Sequence, residues 1–157
     1  MPPAVPPTAL AIELDGVLGD TRALWSDWLA DAGRVLGVEG GSLPEDRGEA
    51  AEALDRAGAG NWRTLLERFA EDRAPVYLRR DAETSATLRR LADGEATLGV
   101  FTDAPAELAR VALAQLGAAR RIDALETGPN ALERLLTTLG DGVTVVRSRE
   151  ELRRAAS

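Results

Sequence analysis

Apolar residues fall into two kinds of pattern along this chain. "TALAIEL" (Thr8 to Leu14), "TLGVFT" (Thr97 to Thr102) and "GVTVV" (Gly142 to Val146) are short, nearly unbroken apolar runs, and "RIDALE" (Arg121 to Glu126) is a weaker one. Runs of that length bounded by turn residues predict buried strands. Between them the period becomes helical. Leu24, Trp25, Trp28, Leu29, Ala32, Val35 and Leu36 predict a helix stopped by Gly37. Ala50 to Arg56 and Asn61 to Glu71 predict two more, broken by "GAG". Asp81 caps a further helix that carries Leu88 and Leu91 and ends at Gly94. "DAPAELARVALAQLG" opens on Asp103 and Pro105 and puts Leu108, Val111, Ala112 and Leu116 on one face. "NALERLLTTLG" opens on the N-x-x-E signature of Asn130 and Glu133, and "SREELRRAA" closes the chain as a helix.

After residue 81 helices and strands alternate, which implies right-handed crossovers and a Rossmann-like parallel sheet with helices on both faces. The first strand joins that sheet from before an all-helical stretch. The expected organisation is therefore a Pro-rich, disordered tail over 1–7, an α/β core over 8–19 and 81–157, and an inserted helical unit over 20–80. In such sheets ligands sit at the carboxyl ends of the strands, where strand order reverses. Glu13 and Asp15, Thr102 and Asp103, and Arg147 and Ser148 all fall at predicted strand ends, so three distant segments are expected to converge.

Composition narrows what such a site can do. The 157 residues include no Cys and no His, and all 19 basic residues are Arg. Thiolate zinc sites, Cys nucleophiles and the commonest general base are excluded. The net charge of −7 argues against nucleic acid or an anionic membrane surface, where phosphate neutralisation needs a basic excess. A small anionic molecule or a protein is the expected partner. "MPPAVPPTAL" has no basic leader, and no segment has the length and apolarity of a membrane span, so a cytoplasmic location is expected.

The stretch "ELDGVLGDT", followed by helices and then by a strand ending in Thr before "DAP", resembles the haloacid dehalogenase (HAD) superfamily, whose first motif is a strand leading into D-x-D-G-[TV]-L. The resemblance extends from about Thr8 to the C-terminus, and the helical stretch falls where many members carry a small cap. It implies a hydrolase of the small-molecule phosphatase type. In that family the first acid attacks phosphorus and the second is the general acid and base. Asp15 matches the second, but Glu13 stands at the nucleophile. The extra methylene displaces the carboxylate by about 1 Å, an error costing on the order of 10²-fold in rate. Thr102 matches the second motif, which holds a phosphoryl oxygen, although Thr102 and Asp103 also suit a helix cap.

The third motif is a Lys, sometimes Arg, and only Arg134, Arg120 or Arg121 lie in the expected region. The fourth supplies acids that complete a Mg²⁺ site, and here Arg147 and Ser148 replace Gly and Asp. Only Glu13 and Asp15 remain as metal ligands, so Mg²⁺ is doubtful. Ser148 and Glu151 also read as a capping box, and Asp20 as a cap for the first inserted helix. Arg147 at a strand end is suited to pair with an anionic ligand or with Glu13 itself. Trp25, Trp28 and Trp62 line either a core or a pocket. Two readings remain open: a hydrolase with weak or lost activity, and a non-catalytic protein that binds a phosphorylated or carboxylated ligand or a protein partner. Oligomeric state is left unset.

Overall fold

The computed structural model describes residues 8–38 and 42–157. The expected tail over 1–7 lies outside the described residues. Four strands, β1 (Ala9–Glu13), β2 (Thr97–Thr102), β3 (Ala124–Thr127) and β4 (Val143–Val146), form one parallel sheet in the order β3-β2-β1-β4. The chain moves outward from β1 through β2 to β3, then returns to pair β4 against the other edge of β1. Strand order therefore reverses at β1, and Glu13 is its last residue.

Side chains alternate across the sheet. On one face Leu10, Ile12, Leu98, Val100 and Val146 pack under α4 (Ala82–Asp93), α5 (Ala106–Gln115) and α7 (Arg149–Ala155). On the other, Ala11 and Phe101 meet α6 (Ala131–Leu139) through Leu135. Gly99 allows that approach, since a Cβ there would stand 2.7 Å from Leu135 Cδ1.

Between β1 and α4 the chain builds α1 (Arg22–Leu36), α2 (Arg47–Arg56) and α3 (Trp62–Tyr77). Trp25, Trp28 and Trp62 are buried together, with ring centroids 5.3 and 5.9 Å apart along the row. This settles the aromatics as core and not as a pocket lining. Their cluster does not stop at the insertion, because Ala104 and Leu108 at the start of α5 belong to it. Arg63 on α3 adds a polar tie, pairing with Asp55 and with Glu107 on α5.

Several local expectations are revised. α2 begins at Arg47, three residues before its first expected position, with Asp46 accepting from the Glu49 amide as its cap. α3 continues through Pro75 to Tyr77. Asn130 does not cap α6 with its side chain, because it adopts a left-handed conformation, φ 55°, after Gly128-Pro129. The first insertion helix takes Thr21 as its N-cap residue, while Asp20 accepts from the Arg22 amide and pairs with its guanidinium. No helix among the described residues is long and apolar enough to cross a membrane.

Candidate functional site

The carboxyl ends of β1 and β2 open into a cleft of about 430 Å³, walled on one side by the first turns of α1 and α2 and on the other by the loop into α6. Glu13, Asp15, Thr102 and Asp103 all line it. The turn after β1 aims Asp15 inward. Gly16 takes a φ of 93°, a left-handed value that suits glycine, and donates its amide to the Gly19 carbonyl at 2.6 Å.

Asp15 is almost fully buried and has four donors. Its Oδ1 accepts from the Thr21 amide and hydroxyl, each at 2.7 Å. Its Oδ2 accepts from Thr102 Oγ1 at 3.0 Å and from Arg47 Nη2 at 2.5 Å. Two oxygens with two donors apiece leave the carboxylate saturated.

Arg47 is the residue that sequence reasoning missed. It is buried, as an Arg rarely is unless paired, and its fork reaches from α2 across the cleft. Besides the bond to Asp15, Nε and Nη2 donate to Asp103 Oδ1 at 3.0 and 2.7 Å, Nη1 donates to Thr21 Oγ1 at 2.6 Å, and the Arg47 amide donates to Asp103 Oδ2 at 3.0 Å. Burial works against the guanidinium's charge, but Asp15 and Asp103 outweigh it and hold its pKa above the ordinary value. Burial likewise opposes the charge on Asp103, yet the bonds from Arg47 hold its carboxyl below the ordinary range. The one signal in the sequence was a cation in the first turn of a helix. The helix dipole disfavours that placement unless an acid outside the helix answers it.

Glu13 has its own partner. Arg147, just past β4, donates from Nη1 to Glu13 Oε2 at 3.1 Å and lies over the Phe101 ring. Ser148 does not face the cleft as a ligand. Its hydroxyl accepts from the Glu151 amide and caps α7, and the Glu151 carboxylate accepts from the Arg147 amide, one residue earlier than a standard capping box has it. Asp103 is no cap for α5, because its carboxylate is turned to Arg47, whereas Thr102 Oγ1 does accept from the Ala104 amide at 3.2 Å.

The candidates for a third-motif cation stand elsewhere. Arg134 pairs with Glu126 and donates to the Thr127 and Pro129 carbonyls. Arg120 and Arg121 precede β3, at the end of the sheet away from the cleft.

A Mg²⁺ ion needs several oxygens free to turn toward it. Each cleft acid at the end of β1 instead carries a guanidinium, and no group of three or more acidic residues that could hold a metal occurs among the described residues. The donor set does not fit the ion.

Against solved structures, the chain resembles a haloacid dehalogenase-like hydrolase from Streptococcus pneumoniae, with a TM-score of 0.56 at 15% identity over 88% of this chain and 74% of that one. It also resembles a HAD phosphatase from Thermococcus onnurineus, with a TM-score of 0.56 at 21% identity over 89% of this chain and 76% of that one. No family model matches the sequence. No curated protein matches it either. The chain has the haloacid dehalogenase-like fold, a Rossmann-type parallel α/β architecture.

Proposed function

We propose that this chain is a HAD-fold relative of the small-molecule phosphatases whose hydrolytic activity is weak or lost, and that it acts chiefly by binding. The observation that carries this reading is the Arg47 fork on Asp15 and Asp103. A general acid and base needs an oxygen that can take up and release a proton facing the substrate. Asp15 has both oxygens engaged, one of them by the Arg47 guanidinium. Glu13 adds the misplaced nucleophile, and Ser148, serving as a helix cap, leaves the metal without its later acid. Metal assistance and positioning each supply several kcal/mol of barrier lowering, so losing both leaves little rate.

An anionic ligand meets a second obstacle. The two cations lining the cleft, Arg22 and Arg47, are already paired with Asp20 and with Asp15 and Asp103. A phosphate or carboxylate must draw a guanidinium away from a carboxylate to bind there. A partner that leaves those pairs intact therefore has the advantage.

The test is release of phosphate from a panel of phosphate esters with and without Mg²⁺. It compares the unaltered protein with a variant carrying Glu13→Asp, Ser148→Asp and Arg47→Ala. Turnover confined to the variant, or absent from both, agrees with this reading. Mg²⁺-dependent turnover by the unaltered protein overturns it.

A further inference from the structure

We infer that Asp15, Thr21, Thr102 and Asp103 form a guanidinium-binding seat whose occupant is the insertion's own Arg47, and that the filled seat fastens the helical insertion shut over the cleft. This deepens the reading above and rests on the same contact. Its test reads closure and not turnover, so an active protein with a filled seat and an inactive one with an empty seat are told apart.

Complementarity is the first argument. The acceptors come from three segments outside α2: the turn after β1, the start of α1 and the end of β2. Together they present two carboxylates and two hydroxyls to a planar fork, and Nε, Nη1 and Nη2 each find an oxygen within 3.0 Å. Acceptors spread around all three nitrogens of a planar fork select guanidinium over a point charge. Asp103 holds main chain and side chain of Arg47 together, through Oδ2 to the amide and Oδ1 to the fork.

Charge is the second argument. With Arg47 withdrawn, two carboxylates that now share one nitrogen, at 2.5 and 2.7 Å, face each other, Asp15 almost fully buried and Asp103 partly open to solvent. Like charges so placed demand a cation.

A separate contact locks the same helix turn. A Cβ on Gly48 would stand 2.4 Å from the Pro129 nitrogen and 2.8 Å from the Gly128 carbonyl carbon, so the backbone of α2 is pressed against the loop before α6. Adjacent residues thus fix the insertion to the core, one by its fork and the other by having no side chain.

The experiment empties the seat and offers it a small occupant. Arg47→Ala is made in the full chain, and its thermal midpoint and amide exchange in α1 and α2 are followed while methylguanidinium chloride is titrated in the millimolar range against sodium chloride of equal ionic strength. Saturable recovery of the midpoint and of α2 protection in the variant, with none in the unaltered protein, is the expected result; recovery from an unfolded starting point counts equally. No saturable effect, equal effects in both proteins, or recovery with Mg²⁺ in place of methylguanidinium overturns the inference. Arg47→Lys supplies a second arm, since it keeps a charge without the fork. Exchange in α2 should quicken by on the order of tenfold, the loss of a charge-assisted hydrogen bond or more, with β1 and β2 unchanged. Unaltered α2 exchange in that variant also overturns it.

Discussion

The side chains of Asp15 and Arg47 are each nine-tenths or more buried, so truncating Arg47 leaves the Asp15 carboxylate without its cation where water barely reaches. Breaking such a pair costs about 3–5 kcal/mol. Arg47→Ala is expected to lose that much in urea-denaturation experiments, and Asp15→Ala less, because Asp103 still pairs with Arg47. The Arg147–Glu13 pair has side chains 54% and 31% exposed, and Arg147→Ala should fall within about 1 kcal/mol of the unaltered protein. The two ion pairs look alike in a contact map, and this contrast separates them. Acid adds a second signature. Asp103 titrates below its ordinary value of 3.8, so the folded state holds its proton less tightly than the unfolded chain does. Its contribution is complete above that value and is lost as pH falls through the lower folded-state pKa. Asp20, Asp55 and Asp81 shift in the same direction. Stability measured against pH should thus be flat near neutrality and decline below about pH 4, less steeply in Asp103→Asn. Of the cleft residues, those at strand ends were legible, because an apolar run shows where a strand stops. Arg47 was not, because it lies in a helix whose only oddity is a cation in its first turn.

Helix starts hold several of the residues on which the proposed loss of activity rests. Ser148 is the N-cap of α7, and its replacement by Ala should cost about 1 kcal/mol. Asp is as good a cap as Ser, so Ser148→Asp should leave the thermal midpoint nearly unchanged while adding the acid that the metal would need. Ser148→Asp therefore adds nothing to the stability cost of the restored variant, which comes from Arg47→Ala. Gly48→Ala should behave in the opposite way. Its new methyl meets backbone, which cannot swing aside as a side chain can, so α2 must lift from the loop at Gly128-Pro129. Faster amide exchange confined to α2 and the α6 start is the expected readout. Among the described residues the periodicity of apolar positions located the strands and α-helices, but not the short 3-10 helix at Ala119–Arg121, and it misjudged edges where a neighbour decides them. α2 starts early because Arg47 and Gly48 are held by the core, and α3 runs past Pro75 because its buried face, through Ala74, continues against the sheet's packing.

At the scale of the whole molecule the insertion and the α/β core share one apolar cluster, since Leu108 on α5 packs among the tryptophans of α1 and α3. All 3 Trp residues lie in the insertion, so their fluorescence reports on it alone, while far-UV circular dichroism reports on both parts. Coincident urea transitions by the two probes are expected, as for a single cooperative unit, and Leu108→Ala should shift both by about 2–5 kcal/mol. An earlier fluorescence transition would show the insertion detaching first. The α/β alternation was readable because parallel strands are continuous apolar runs and their crossovers are amphipathic. The closed insertion was not, because what closes it is one side chain bridging segments far apart in sequence. The central claim is that this bridge has taken the place of catalysis, and steady-state release of inorganic phosphate by the unaltered protein tests it most directly. Release should match the buffer blank, unaffected by Mg²⁺ or by Glu13→Gln. Saturable release that rises with Mg²⁺ and disappears in Glu13→Gln would contradict the claim.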